Sequence, residues 1–417
     1  MNKILKIKAR QIFDSRGNPT IEAEVFSKYF SASAICPSGA STGSHEAYEK
    51  RDIKNNNFLG KSVFTCVNLI NTKIYKKLRN ENIHNQKRID KILINLDGTK
   101  QKNKLGANTI LAVSMAVKKL SAKVRKIPLY KAFLLKKNFK LPYPLMNIIN
   151  GGTHADNGLR VQEFMIRPDK AKNFSEAMRI CFLVIQNLKV LIIKKNLSIS
   201  VGDEGGFAPM ISKNEEALDL IVAAIKKSGF KNGKDVSICL DVAANELFKN
   251  NKYSIHSKKF ESVDKSIKQY LKIIKKYNIK SLEDPFSEND WKSWNMLMKN
   301  VKKVQIVGDD LYVTNIERLK KGVLNKSSNS ILIKPNQIGT VSETLEVIEF
   351  AQLSGFKTII SHRSGDSEDT FIADLAVGTA SNQIKTGSLA RSERVAKYNR
   401  LLKIEEELGN LTKMYKL

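Results

Sequence analysis

At 417 residues and 42% hydrophobic content, the chain is long enough to bury a sizeable core across two or three domains. Its 71 Lys+Arg against 41 Asp+Glu give a formal charge of +30. The lysines are spread along the whole length, with no RNP, zinc-finger or basic-zipper pattern and no aromatic–basic interleaving, so they read as a solvated surface in preference to a nucleic-acid face. Cys36, Cys66, Cys181 and Cys239 form no CxxC pair, which argues against a zinc site or disulfide framework and for small buried hydrophobes in a reducing compartment.

In chain order, MNKILKIKAR lacks an uninterrupted apolar stretch, so no secretory signal is expected. Residues 1–35 alternate in period 2 around the turn signal DSRGNP, predicting two short strands and a third behind them. Residues 58–135 turn helical, most clearly in LGANTILAVSMAVKKLSAKV. Pro128 and LPYPL (141–145) then punctuate the chain. The expected division is a small α+β domain over 1–138 and a larger unit over 139–417. In that unit ICFLVIQNLKVLII (180–193) is broken by Gln186, Asn187 and Lys189, and reads as a core-facing helix, not a membrane span. A soluble protein of the cytoplasm is the expectation.

From residue 198 a pattern recurs: a short apolar, β-branched run ending in a charged turn. The runs are SISVGDEGG, VSICLDVA, IKSLEDPF, VQIVGDD, SILIKPN, KTIISHRS and NQIKTGS. Steps of roughly 25–40 residues leave room for one strand, one helix and two loops, the arithmetic of a (β/α)₈ barrel whose chemistry sits on the loops after its strands.

Asp241, Glu283 and Asp309 each end such a run. Singly, an acid there most often caps a helix. Three on one rim repel one another, and a hard divalent cation, Mg²⁺ or Mn²⁺, resolves that repulsion. Asp284 and Asp310 then serve as caps or outer partners. Lys334, held in extended backbone by Pro335, is a snorkelling lysine when taken alone. Facing a metal and Lys385, its pKa should fall, making it a base, with Glu204 in GDEGGFAP the complementary acid. Arg363 and Ser364 make a phosphate-binding pair, and Ser41, in the loop PSGASTGSHEAYEKRD, faces a phosphate or metal. His154 and His362 fall at strand ends, while His45, His84 and His256 read as surface residues.

Across essentially its full length the chain resembles enolase. The motifs include DSRGNPT, PSGASTGSHEA, LGANTILAVSMA, NGGTHADN, QEFMI, VGDEGGFAP, LDVA, EDPF, VGDDLYVTN, LIKPNQIGT, SHRSGDSEDTFIADLAVG and IKTGSLARSERVAKYNRLLKIEEELG. A Lys or His base with one or two Mg²⁺ ions is the general pattern of that superfamily. The resemblance implies an α/β chain: a C-terminal TIM barrel that opens ββαα, with a smaller N-terminal α+β domain. It implies Mg²⁺-dependent, reversible dehydration of 2-phosphoglycerate to phosphoenolpyruvate, with two Mg²⁺ per site during turnover. Asp241, Glu283 and Asp309 would hold the first ion and Ser41 contact the second. Lys334 would be the base and Glu204 the acid assisted by Glu163, with His154 in the catalytic group. Gln162, His362, Arg363, Ser364 and Lys385, with Lys334, would contact substrate. A homodimer is also implied, with Arg10 and Glu405–Glu407 as interface partners, and the enolases that join RNA-degrading assemblies in some bacteria add a further partner. Asp366 and Ser367, where the family usually shows Glu-Thr, and Arg160 are local departures outside the matched catalytic residues.

Overall fold

The structure, a computed structural model, describes residues 2–39, 43–54, 56–133, 139–409 and 413–415; Ser41 and residue 138 fall outside them. Three antiparallel strands open the chain, β1 (Lys6–Phe13), β2 (Pro19–Phe26) and β3 (Ser31–Ile35), in the order β1–β2–β3. The DSRGNP turn closes on Asp14, whose Oδ1 accepts from the amides of Arg16 at 2.8 Å and Asn18 at 2.9 Å. Gly17 takes φ +72° there, a conformation glycine adopts without a Cβ clash.

The helical stretch resolves into Phe64–Leu69, Tyr75–Leu78, Gln86–Asp97 and Ala107–Val124. Every residue from Ala107 to Val117 is buried, as expected for a helix covered on all sides. It packs between the small sheet and the helix Val341–Leu353 of the larger unit. A buried polar lock fastens the same contact. Asp90 accepts from Ser114 Oγ at 2.6 Å and from the Ser342 amide at 2.9 Å, and Lys102 pairs with Glu343 at 3.0 Å.

The larger unit contains β4 (Tyr143–Asn150), β5 (Glu163–Arg167), β6 (Ser237–Asp241), a short hairpin β7 (Phe248–Lys249) and β8 (Lys252–Tyr253), then β9 (Ile279–Glu283), β10 (Gln305–Gly308), β11 (Ser330–Ile333), β12 (Lys357–Ser361) and β13 (Gln383–Lys385). All but the hairpin close into an eight-stranded barrel. Leu145, Met165, Cys239, Val307, Leu332 and Ile359 form a dry layer inside it, the packing of a barrel core. β5 runs antiparallel to both neighbours, and the helices Phe174–Lys194 and Asn214–Lys227 follow, so the barrel opens ββαα. The reversal has a chemical consequence. Glu163 starts its strand, yet it pairs with Asp241 at the end of β6, which pairs in turn with Glu283 at the end of β9.

Several expectations need correction. SISV is not a barrel strand: Val201 makes only an isolated bridge to Phe207, and Gly202 and Gly206 fold the segment back on itself at 2.9 Å. Its place is taken by YPLMNIIN and EFMIR, because a short apolar run cannot be assigned by periodicity alone. The LPYPL segment does not lie wholly between domains, since β4 begins at Tyr143 and tolerates Pro144 near its start. His45, His84 and His256 are half-buried, not surface residues; His84 Nδ1 lies 2.9 Å from Ser121 Oγ and His45 Nε2 2.9 Å from Asn289 Oδ1. Outside these corrections, Arg10 pairs with Glu22 and Glu24 of its own sheet, contacts that neither make nor exclude a subunit interface. Glu405 accepts from the Ser175 amide at 2.9 Å, and Glu407 pairs with Arg400 at 2.9 Å. All four cysteines are buried and free. Among the described residues no helix is long and apolar enough to cross a membrane.

Candidate active site

The rim where the barrel strands end surrounds a tight polar cavity of about 20 Å³. Its lining includes His154, Gln162, Glu163, Glu204, Asp241, Asp309, Lys334, His362, Arg363, Ser364 and Lys385. Glu283 adjoins it through Lys385, whose Nζ donates to Asp241 Oδ2 and Glu283 Oε1, each at 2.8 Å, with Glu163 Oε1 at 3.1 Å. Of the residues singled out in the sequence, Ser41 alone lies outside the described residues.

Burial works against the charge on Lys385, yet Asp241, Glu163 and Glu283 together raise its pKa well above the ordinary lysine value. Lys334 behaves similarly. Its Nζ sits on Asp309 Oδ2 at 2.5 Å, and although burial and the cations Arg363 and Lys385 pull the other way, Asp309 raises its pKa. In this setting the nearest charge to Lys334 is an acid, not a cation; the fall expected from the sequence is for the amine facing a metal as well as Lys385. Asp309 itself is held below its usual value by Lys334 despite burial. Gln337 fixes its other oxygen, donating to Asp309 Oδ1 at 2.9 Å.

Asp284, at φ +41°, accepts from the amides of Asp309 at 2.9 Å and Asp310 at 2.8 Å. Burial and Asp309 push Asp310 up to about 8, and burial with Asp310 and Asp309 pushes Asp284 well up. Both shifts record crowded negative charge.

A second cluster faces this one. One ligand atom each from His154, Glu163 and Glu204 lie within 4.8 Å of one another. Burial and the Glu204 charge push Glu163 well above the usual carboxylate range. Burial alone would raise Glu204 too, but its contacts with His362, His154 and Arg394 hold it well below. The two neighbouring carboxyls are thus pushed in opposite directions, Glu163 up and Glu204 down, as expected of acids that titrate as a pair. Burial lowers His154, and pushes His362 down to about 4, so both imidazoles are neutral at pH 7.

The phosphate-type arm is also occupied at rest. Arg363 pairs with Glu46 at 2.9 Å, and Gly39 approaches so closely that a Cβ there would collide with the guanidinium. Gln162 accepts from Thr153 Oγ1 at 2.7 Å. Arg160, a departure from the expected pattern, binds Ser254 away from this chemistry. Residues without an assigned role in the sequence reading are Glu46, Gln337 and Arg394. Gln337 and Arg394 are buried and Glu46 half-buried, and only helical phase offers a signal for any of them: Arg394, Lys397 and Leu401 share one face of Ser392–Leu408.

Whether these residues fit a divalent cation can be judged from their unmet valences. Among the described residues, Glu283 Oε2 and Glu163 Oε2 are buried without a hydrogen-bond partner, an arrangement with a high desolvation cost. Asp284, Asp309 and Asp310 also offer ligand oxygens within 4.8 Å of one another. Hard oxygen donors in excess of the local cations fit Mg²⁺ or Mn²⁺ chemistry, with the Lys385 ammonium holding Asp241 and Glu283 together at rest.

Comparison with known proteins matches this geometry. The family model described as "Enolase, N-terminal domain" matches residues 4–133, and "Enolase, C-terminal TIM barrel domain" matches residues 138–416. A protein of Pelagibacter ubique (strain HTCC1062) named Enolase is 80% identical over 417 residues, the whole of both chains. With both family models and a full-length relative in agreement, the chain belongs to the enolase family and is a hydro-lyase of the phosphopyruvate hydratase class.

Proposed function

We propose that the chain catalyses the reversible, Mg²⁺-dependent dehydration of 2-phosphoglycerate to phosphoenolpyruvate, a step of glycolysis and gluconeogenesis. The observation that carries this reading is the meeting of Lys334, the paired carboxyls Glu163 and Glu204 and the cations Arg363 and Lys385 in one buried cavity. The C2 proton lies beside a carboxylate, so its removal adds charge to an anion. Asp241, Glu283 and Asp309 would hold the first Mg²⁺ and Ser41 contact a second. Bound there, the metal supplies Lewis-acid stabilisation of the charge building on the substrate carboxylate.

Lys334 takes the C2 proton once its own proton and its pairing with Asp309 are given up. Glu204 delivers a proton to the C3 hydroxyl so that water leaves instead of hydroxide, and Glu163 is the reservoir that recharges it. Arg363 and Ser364 hold the phosphate, Arg363 exchanging Glu46 for it. Gln162, His154, His362 and Lys385 complete the substrate contacts. The purified protein with 2-phosphoglycerate and Mg²⁺ is expected to form phosphoenolpyruvate, read by its ultraviolet absorbance; no product above the metal-free control would refute the assignment.

The same reading covers organisation. We take 1–138 as a capping domain and 139–417 as the catalytic barrel, in a cytoplasmic homodimer. Support for self-association comes from an exposed apolar group on the small domain, with Phe13 59%, Ile53 72%, Leu59 88% and Phe64 48% exposed, since such patches mark contact surfaces.

The +30 charge leaves an RNA-degrading assembly as the competing partner. If the lysines are a solvated surface, binding to unrelated RNAs is weak, insensitive to sequence and lost steeply as salt rises, with turnover unchanged. Sequence-selective binding that persists near about 0.2 M salt would make RNA a partner.

A further inference from the structure

We infer that Arg394 fixes the tautomer of His362 and so aims an Nε2–H at Glu204, making Arg394 a positioning residue for the acid half of the reaction. The functional half of this inference rests on the role proposed above for Glu204.

Arg394 lies in the first turn of the helix Ser392–Leu408 and is fully buried. One of its nitrogens, Nη1, lies 2.6 Å from His362 Nδ1 and also donates to the Arg363 carbonyl at 2.6 Å. The other, Nη2, donates to the carbonyls of Ser364 at 2.6 Å and Asp203 at 3.1 Å. A guanidinium has five N–H donors and no acceptor, and it keeps its proton at any ordinary pH. The contact with Nδ1 therefore requires a lone pair on that nitrogen. A neutral imidazole with a lone pair on Nδ1 carries its hydrogen on Nε2. Burial keeps His362 neutral until the pH falls to about 4.

The geometry gives that hydrogen one destination. His362 Nε2 lies 3.2 Å from Glu204 Oε1, close to it but not aligned as a hydrogen bond in the resting site, and among the described residues it has no hydrogen-bond partner elsewhere. Glu204 Oε2 accepts from Asn147 Nδ2 at 3.2 Å. A donor on one oxygen and the imidazole N–H close to the other favour the ionised carboxylate, so a proton placed on Glu204 is given up readily. The opposite tautomer would set an imidazole lone pair against a carboxylate oxygen and weaken the acid. The same guanidinium also gathers the carbonyls of residues 203, 363 and 364, tying the loop of the acid to the loop of the phosphate arm. Asp366 does not compete for it closely: it lies 3.9 Å from Nη1 and is engaged by Lys397 at 3.1 Å.

Histidine-selective ¹⁵N NMR of the full-length protein tests the assignment directly, with the His362 signal identified by its loss in His362→Gln. The expected spectrum shows a protonated Nε2 and an unprotonated Nδ1 at neutral pH. A protonated Nδ1 overturns the inference, whatever the activity of the enzyme. The functional half is read from two rates, dehydration and exchange of the substrate's C2 hydrogen. Arg394→Met is expected to slow dehydration by about 10²-fold or more, the scale of general-acid catalysis, with C2 exchange nearly unchanged. Arg394→Lys, which keeps a donor for Nδ1, restores much of the loss. Equal falls in both rates, unrelieved by lysine, would reduce Arg394 to a structural residue. The wild-type spectrum decides the tautomer even where the methionine variant fails to fold. Absence of wild-type dehydration would sink the proposed reaction alone.

Discussion

Lys334→Ala is expected to end exchange of the substrate's C2 hydrogen with solvent. Its amine ends β11 inside the cavity, and the remaining buried amine, Lys385, is engaged by Asp241, Glu283 and Glu163. Losing a positioned base costs about 10²–10⁴-fold, and dehydration falls with it because abstraction comes first. Glu204→Gln behaves differently. The amide cannot protonate the C3 hydroxyl, so dehydration stops, yet Lys334 is untouched and exchange continues. Exchange followed by NMR in deuterated buffer, beside product absorbance, separates the two roles. Equal loss of exchange in both variants would contradict the division of labour.

The contrast between these two residues shows how far the sequence could be read. Lys334 was legible because SILIKP announces a buried strand that stops at a charge, and six of the barrel strands announce themselves in the same way. Glu163 was not legible on those grounds, because β5 is reversed and its acid precedes the apolar run instead of following it. GDEGG misled in the other direction: its preceding SISV has the composition of a strand but lies on a loop, and Glu204 reaches the cavity through that loop.

Charges brought together only by folding were harder still. The direction of the Lys334 shift depends on Asp309, just past the end of the adjacent strand β10, and no local pattern states that they touch. Arg394 illustrates the same limit on a helix. Its charge marks it as a solvent-facing residue by type, and only the buried phase it shares with Lys397 and Leu401 points inward. Catalytic loops follow the strands by rule, whereas the residues that orient them come from wherever the chain happens to pack.

The carboxylate rim carries the other large expected effect. In the wild-type protein, Mg²⁺ at about 100 times its dissociation constant should add about 2.7 kcal/mol to unfolding stability, since it binds the native site and not the unfolded chain. Asp241→Ala, Glu283→Ala and Asp309→Ala should each lose most of that increment and abolish Mg²⁺-dependent turnover. Their metal-free stabilities should stay near one another. Removing Asp241 or Glu283 still leaves Lys385 with two of its three acid partners, and removing either also relieves crowding between like charges. Asp309→Ala is the more exacting case, because it strips Lys334 of the acid that raises its pKa. The buried amine should then titrate lower, so the stability of the apo protein falls as pH descends from the ordinary lysine range to the lowered folded-state pKa, and falls no further below it, because the unfolded chain binds the proton first. Thermal unfolding with and without Mg²⁺ across pH measures both effects. A full Mg²⁺-induced stabilisation retained in Asp309→Ala would remove that residue from the metal site, and an unchanged apo pH profile would show that Lys334 owes its charge to another partner.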